Sequence, residues 1–259
     1  AGDPMRGRIR KLLAGGGVGS RRRIEAWVGA GRIKVNGKLA TPGQPVGERD
    51  DVRLDGRRLR LAHGTDEPHS GIVYHRPAQE DIRAGAAGTM PSSLERLPKA
   101  SGKRWIPISP LAANDGGLEL FVTDGQLAAA LTRRGLEIDS ELSERVRGGF
   151  DEAGIANLLL AAAESIKVKG RVTEASLAGG EGSNRWLKLR CVGLRPRDLR
   201  QMFDHCGLEA NRILRTRFGP IAMDRALARG RSRPLSEDEL NALREAAGLK
   251  PVGSRRPAR

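Results

Sequence analysis

The sequence has few of the residues that build metal sites and disulfides, and it has no long apolar run. Its 259 residues include two cysteines, Cys191 and Cys206, four histidines and eight aromatic side chains. The cysteines lack a C-x-x-C spacing and no His pair is positioned for zinc, so we expect no metal and no cofactor, and two structural thiols in a reducing cytoplasm. No apolar run reaches the ~18 residues of a membrane helix, and no signal peptide is visible.

Basic residues are plentiful and unevenly placed. The formal net charge is +15 and the isoelectric point is near 11. Residues 1–62 hold 15 Lys/Arg against 6 Asp/Glu, residues 212–259 hold 12 against 5, and residues 63–211 hold 19 against 20. This pattern favours a polyanion, most simply a nucleic acid, as the partner. Binding to an anionic membrane surface is the alternative, but the charge does not lie on one amphipathic helix.

The first unit is expected over residues 5–62, after a cloning scar at residues 1–4. The segment "RGRIRKLLAGGG" predicts a short helix, and "GSRRRIEAWVGAG" predicts a second one with Ser20 as its N-cap and Gly31 at its end. The pairs Asn36-Gly37 and Asp55-Gly56 then predict two tight β-hairpins. Two helices and a small hairpin-rich sheet make a compact domain of under sixty residues.

A polar linker at residues 63–70 leads to a second domain at residues 71–249, followed by a basic, disordered tail at residues 250–259. Strands are predicted in "GIVYHRP", "RWIPISPL", "LELFVTDG", "RWLKLRCVG" and "ANRILRTRFGPIAM". Helices are predicted in "TDGQLAAALTRRG", "GIANLLLAAAE", "RPRDLRQMFDHCG" and "SEDELNALREAAG", the last with a Ser236–Glu239 capping box. Because strands outnumber helices in a mixed order, the fold class is α+β.

The basic residues of the first unit are concentrated on the second helix and the hairpin that follows it. Solvated surface charge is the simpler interpretation, but six cations on one helix-and-hairpin face favour an RNA or DNA surface. The stretch "KLLAGGGVGSRRRIEAWVGAGRIKVNGK" resembles an S4 RNA-binding domain over nearly the whole unit. The RNA-binding residues expected here are Lys11, Ser20, Arg21, Arg22, Arg23, Arg32, Lys34 and Lys38.

The second domain resembles the ribosomal RNA pseudouridine synthases of the RsuA/RluB type, which carry an N-terminal S4 domain. The similarity lies in "YHRPAQE", "LERLPKASGKRWIPI", "GLELFVTDGQLAAAL", "GGEGSNRWLKL" and "RPRDLRQMFDHCGLEANRILRTRFGPI", in that order. It implies a largely antiparallel, mixed sheet and a pocket that receives a uridine flipped out of the RNA. Further RNA contacts are expected at Arg195, Arg197, Arg200, Arg215 and Arg217.

The resemblance implies a catalytic Asp within the family pattern G-R-L-D-x-x-T-x-G-L-L-L, and this Asp is missing. The corresponding residues here run from Ser109 to Leu118, with Ala112 at the Asp position and Asp115 at the Thr position. If the chain were extended, Asp115 would lie about 10 Å from the required place. We interpret Asp115 as a turn residue beside Gly116-Gly117, with pairing to Arg200 or repulsion of phosphate as the alternatives.

Two further family features bear on the site. A Tyr that stacks on the target base aligns best with Leu142, which would keep an apolar floor but no aromatic face. The residue that pairs with the catalytic Asp aligns with Arg200, in "LRPRDLRQ". Without its acid, Arg200 needs another anion, either an RNA phosphate or a carboxylate such as Asp115 or Asp198.

Three functions are compatible with these features. The leading hypothesis is a monomeric, cytoplasmic pseudoenzyme that binds ribosomal RNA or a pre-ribosomal particle as an assembly factor. The first rival is an active pseudouridine synthase with a displaced acid, for which Asp115 is the candidate. The second rival is a regulator that binds one messenger or transfer RNA.

Overall fold

The computed structural model describes residues 7–15, 18–47, 49–59, 69–82, 92–100, 103–135, 137–147, 151–179, 184–208 and 212–252. These residues form two compact units. The first contains the described residues up to His69 together with those between 99 and 104, and the second contains the others. Most of the expected linker at 63–70, most of the expected tail at 250–259 and all of residues 1–4 lie outside the described residues.

The first unit consists of two helices and short antiparallel strands. Its elements are β1 (Gly7–Arg8), α1 (Ile9–Gly15), α2 (Arg21–Gly29), β2 (Ile33–Val35), β3 (Lys38–Leu39), β4 (Pro45–Val46), β5 (Val52–Leu54) and β6 (Arg57–Arg58). The sheet order is β3-β2-β5-β6, and β1 pairs with β4. Both helices bury one apolar face against the sheet in a shared core that includes Ile9, Leu13, Ile24, Val28, Ile33 and Val52.

The local signals predicted for this unit are confirmed. The Ser20 hydroxyl accepts a hydrogen bond from Arg23 N at 3.1 Å, which caps α2 as expected. Asn36 and Gly37 have φ values of 52° and 81°, and Asp55 and Gly56 have 49° and 82°. These left-handed pairs are the conformation of a type I′ hairpin turn, so both turns form where the sequence places them.

The second unit is built around a nine-stranded sheet. Its strands are β7 (Gly71–Arg76), β8 (Ile106–Ile108), β9 (Gly116–Val122), β10 (Asp139–Arg147), β11 (Arg171–Ala178), β12 (Asn184–Val192), β13 (Ile213–Phe218), β14 (Ile221–Ala222) and β15 (Ser232–Pro234). The order is β11-β12-β10-β13-β9-β7-β15, with β14 on β13 and β8 on β9. The β13–β9 pair is parallel and the other pairs are antiparallel, which confirms the α+β class with a largely antiparallel mixed sheet.

Five helices pack on this sheet or beside it: α3 (Ser93–Arg96), α4 (Gly125–Arg133), α5 (Glu152–Ser165), α6 (Pro196–His205) and α7 (Glu237–Ala246). Asp124 caps α4 through two backbone N–H groups, and the predicted Ser236–Glu239 capping box is present on α7. One apolar core joins α4 and α7 to β9, and a second joins α5 and α6 to β10, β12 and β13. Among the described residues, no helix is long and apolar enough to cross a membrane.

The structure differs from the sequence-based expectation at several places in this unit. The segment "ANRILRTRFGPIAM" forms two paired strands, β13 and β14, because Gly219 (φ 54°) reverses the chain between them. Strand β11 was not predicted because it is an edge strand with a mostly half-exposed or exposed face and therefore no apolar alternation. The central strand β10 and the short elements α3 and β15 are not among the predicted segments either.

Candidate functional site

The loop between β8 and β9 holds the residues that align with the family's catalytic segment. Asp115 N donates to Ala112 O at 3.0 Å and closes a β-turn over residues 112–115. In such a turn the first and last Cα atoms lie within about 7 Å of each other. The expected separation of about 10 Å assumed an extended chain and is therefore wrong. Asp115 ends the turn, as its interpretation as a turn residue requires.

The Asp115 side chain is buried, with no exposed surface, and it binds residues outside the turn. Its Oδ1 accepts from Arg200 Nη2 on α6 and, at 3.3 Å, from Ile213 N at the start of β13. Its Oδ2 makes no hydrogen bond to another described residue. The acid therefore points into the protein and ties the loop to α6 and β13, and it offers no oxygen to a ligand in solvent.

Arg76, at the end of β7, is only 1% exposed, and its guanidinium binds the same turn. Its Nη2 donates to Asp115 O at 2.9 Å and to Ala112 O, and its Nη1 donates to Glu80 O at 2.8 Å. Its Nε lies 3.2 Å from Glu119 Oε2. A single buried guanidinium thus fixes both ends of the segment in which the family carries its nucleophile.

A second buried arginine, Arg215 on β13, completes the network. Its Nε donates to Leu118 O and its Nη1 to Ser109 O, both at 2.8 Å. Ser109 has a φ of 44°, a left-handed conformation that costs a non-glycine residue about 1–2 kcal/mol, and the bond from Arg215 holds it there. Burial lowers the pKa of Arg215 to about 10, while the Glu119 carboxylate opposes this shift.

Glu119 is the acid between the two arginines. It has no exposed surface, and its Oε1 accepts from Leu111 N at 3.2 Å. Burial raises the pKa of its carboxyl group, while Arg215 and Arg76 act in the opposite direction. Each buried acid has a cationic partner: Glu119 lies beside Arg76 and Arg215, and Asp115 pairs with Arg200. Unpaired buried charges are very costly, so this pairing is what allows the cluster to lie inside the fold.

Gly117 is required for this arrangement. Its φ is 94°, and a Cβ placed on it would lie 2.3 Å from Arg215 O on the adjacent strand. No side chain fits at that distance, so β9 can approach β13 only with glycine here.

A cavity of about 370 Å³ opens beside the turn. It is lined by Arg76, Asp81, Ile82, Pro107, Pro110 and Leu111. Asp81 is exposed and Asp115 is not among the lining residues. Sequence reasoning missed Asp81, because it lies outside the motif in which an acid was sought.

The position expected to stack on a base does not face this cavity. Leu142 is 1% exposed and belongs to the core formed with Leu199, Phe203 and Ile213. The expected apolar floor for a base is therefore absent at this position, because the side chain is fully used in packing under α6.

The expected RNA contacts of the second unit fall into three groups: exposed, partly exposed and buried. Arg195 and Arg197 are more than half exposed, and both pair with Asp198, at 3.1 and 3.5 Å. Arg217 and Arg200 are partly exposed. Arg217 is 18% exposed and pairs with Asp139 and Glu141.

Arg200 is 26% exposed and lies beside Asp115. Arg215 is 3% exposed and its Nε and Nη1 bind backbone carbonyls inside the fold, so its assignment as an RNA contact is wrong.

In the first unit the expected contacts are at the surface. The side chains of Arg21, Arg22 and Arg23 are exposed at the start of α2, and Lys11, Lys34 and Lys38 are exposed as well. The guanidinium carbons of Arg23 and Arg32 lie 5.2 and 5.7 Å from the centre of the Trp27 ring. Arg32 also pairs with Asp55. The Ser20 hydroxyl acts as the helix cap described above.

Comparison with known proteins identifies both units. Residues 7–52 match the S4 domain family. The chain is 35% identical over 253 residues to ribosomal large subunit pseudouridine synthase B of Pseudomonas aeruginosa, covering 96% of this chain and 64% of that protein. It is 33% identical over 259 residues to the Escherichia coli K12 protein of the same name, covering 98% of this chain and 88% of that protein. The chain belongs to the ribosomal large subunit pseudouridine synthase B family.

A solved structure supports the fold of the second unit. A crystal structure of a pseudouridylate synthase superposes with a TM-score of 0.57 at 18% identity, covering 91% of this chain and 99% of that one. Membership in the synthase B family makes the Ala112 position informative. The sequence resemblance implies the catalytic acid at this position, and the structure shows Ala112 exposed there, with its backbone oxygen accepting from Arg76 Nη2.

Proposed function

We propose that this chain is a ribosomal RNA-binding member of the synthase B family that does not isomerise uridine. The observation that carries the proposal is that neither Ala112 nor Asp115 offers a carboxylate to a ligand. Ala112 has no carboxylate, and the nearby Asp115 is fully buried against Arg200. Formation of pseudouridine needs a carboxylate in contact with the flipped nucleotide.

The buried network supports the same conclusion in a second way. Arg76 and Arg215 bind carbonyl oxygens of Ala112, Ser109 and Asp115, and together they hold the loop in one conformation. A nucleophile must be placed within about 0.5 Å of a productive geometry. Release of Asp115 towards a ligand would leave Arg200 without this partner and Ile213 N without its acceptor.

RNA binding is supported by the S4 match and by the exposed cations. Exposed arginines at the start of α2 and on α6 are suited to phosphate contacts, which position an RNA without reading its sequence. A role in ribosome assembly, in the cytoplasm, is the cellular function that agrees best with a retained binding surface and a lost acid.

The rival is an active synthase with a displaced acid. The observation in its favour is the cavity beside the turn, which has the exposed Asp81 in its lining. Asp81 is a better candidate than Asp115 because its side chain reaches solvent.

The test is an isomerase assay on purified protein. Ribosomal RNA transcripts labelled with tritium at uridine C5 release the label when pseudouridine forms, and the E. coli relative serves as the positive control. The proposal expects no release above the protein-free control. Release that disappears in Asp81→Asn or Asp115→Asn would establish the rival and name its acid.

A further inference from the structure

The loop that joins β14 to β15 is rich in arginine. This arginine loop, residues 223–231, contains three arginines and one acid, Asp224. Arg225, Arg229 and Arg231 are all exposed. The loop is therefore a basic surface segment, and it lies outside the residues that the sequence assigned to RNA binding.

The backbone of the arginine loop forms two consecutive β-turns, over residues 224–227 and 228–231. Each turn is closed by a hydrogen bond of 3.1 Å from its last backbone N–H to its first carbonyl oxygen. Gly230 has a φ of 74°, which the third position of a type II turn requires. Arg225 and Arg229 both occupy the second position of their turns, so the two turns present one arginine each.

His75, near the end of β7, anchors the arginine loop to the sheet. Its Nδ1 donates to Leu227 O at 2.7 Å, its backbone N donates to Arg231 O at 3.0 Å, and its backbone O accepts from Gly230 N at 2.8 Å. The Leu227 side chain packs against the core formed with α4 and α7. The loop is thus held in place by the fold, and a ligand that contacts it has little backbone freedom to remove.

The three arginines of the loop have no partners within the described part of the chain. None of them forms an ion pair or a side-chain hydrogen bond with another described residue. Two neighbouring arginines differ in this respect. Arg233 pairs with Glu239 at 2.7 Å. Arg96, whose Nη1 lies near Gly230, pairs with Glu80 at 3.3 Å. These two pairs add no net charge, so three cations against Asp224 leave the loop positive.

The arginine loop lies at the end of β7 that also holds the former catalytic turn. Arg76, the residue after His75, donates to the carbonyl oxygens of Ala112 and Asp115. Successive side chains of a strand point to opposite faces, so His75 and Arg76 hold the two loops on opposite faces of one strand end. Residues 83–91, which follow β7 and lie outside the described residues, contain one arginine and no acid.

We propose that the arginine loop is a further RNA-binding site, in which Arg225, Arg229 and Arg231 contact backbone phosphates of the ribosomal RNA. The inference rests on the proposed function, because it names a surface through which the same RNA is bound. The planar guanidinium binds phosphate through two parallel N–H groups, and exposed arginines without carboxylate partners are free to do so. Such contacts position the RNA without reading its sequence.

The experiment measures binding of the full chain to a ribosomal RNA transcript over a range of salt concentrations. Changing Arg225, Arg229 and Arg231 together to Gln is expected to lower the slope of log K against log salt by about 2, since each phosphate contact contributes about 0.7–0.9. The same three positions changed to Lys keep the charge and should keep most of the slope. Both variants should unfold at the temperature of the parent, because the three side chains have no partners among the described residues.

The triple variant Lys167→Gln/Lys169→Gln/Arg171→Gln is the matched control. It removes the same charge from three exposed side chains that also form no ion pair with another described residue. These residues lie at the start of β11, the opposite edge of the sheet, about 24 Å or five strand spacings from β7. The control should leave the slope nearly unchanged.

The outcomes separate this inference from the proposed function. If the parent binds RNA and the Gln variant of the arginine loop has the parent's slope, the site is wrong while RNA binding stands. The site is also wrong if the control lowers the slope equally, since net charge alone then accounts for the effect, or if the Lys variant loses as much as the Gln variant. If the parent does not bind the transcript, the proposed function fails and this inference fails with it.

Discussion

Replacing Asp115 by Ala tests the buried network most simply. The change removes one acceptor of Arg200 and the carboxylate that accepts from Ile213 N, and it puts a methyl group in their place. Removing one partner of a buried ion pair costs about 3–5 kcal/mol. Arg200 keeps 26% of its side-chain surface, so water can recover part of this loss, and we expect about 2–4 kcal/mol.

Thermal unfolding followed by circular dichroism measures this cost. For a domain of this size each kcal/mol lowers Tm by about 2–4 °C, so Asp115→Ala should lower Tm by roughly 4–16 °C. Glu174→Ala is the matched control, since Glu174 also pairs with an arginine but is 63% exposed. Its loss should cost about 1 kcal/mol or less.

The double variant Asp115→Ala/Arg200→Ala completes the measurement. If the pair acts as described, removing both partners costs less than the sum of the single changes, because the contact between them is then lost only once. An Asp115→Ala variant as stable as the parent would refute the reasoning and reduce Asp115 to a turn residue.

Three further predictions concern the site, the first unit and the thiols. Neither Ala112→Asp nor Ala112→Asp/Asp115→Thr should give measurable pseudouridine in the tritium assay, since Leu142 stays in the core. Full activity from Ala112→Asp alone would contradict the claim that several residues of the pocket have changed. Changing Arg21, Arg22 and Arg23 together to Ala should weaken rRNA binding and lower its salt slope by about 2, and equal binding at all salt concentrations would exclude the S4 surface. Burial raises the pKa of Cys191 to about 12 and the pKa of Cys206 less strongly, so both thiols are protonated at pH 7.5. Because the thiolate is the reactive form and Cys191 has no exposed surface, iodoacetamide should label Cys206 slowly, faster at higher pH, and leave Cys191 unlabelled in the folded chain by mass spectrometry.

Local signals in the sequence were enough to predict the small elements of the first unit. Ser20, Asn36-Gly37 and Asp55-Gly56 each determine a cap or a turn through their own backbone preferences, and all three form as expected. Strand β11 could not be found in this way, because an edge strand buries too little apolar surface to impose alternation.

The sequence located the missing acid of the candidate site and offered the Asp115–Arg200 pair as one alternative, but it did not predict the contacts of Arg76, Glu119 and Arg215. The family spacing places Ala112 without any knowledge of the fold. The buried ion network could not be anticipated, because it joins residues from β7, β9 and β13 that are far apart in the chain. Arg215 shows the limit clearly: an arginine on a basic strand resembles a surface cation until the structure shows it buried and bound to the carbonyl oxygens of Leu118 and Ser109.

The central claim is that this chain has kept an RNA-binding fold without the isomerase reaction. Mapping pseudouridine throughout the ribosomal RNA of cells with and without the gene tests that claim most directly, since it requires no choice of substrate. The account predicts identical maps, with the protein bound to ribosomal RNA or its precursors. Loss of a single pseudouridine in cells without the gene, restored by the parent chain and not by an Asp81→Asn or Asp115→Asn variant, would contradict it.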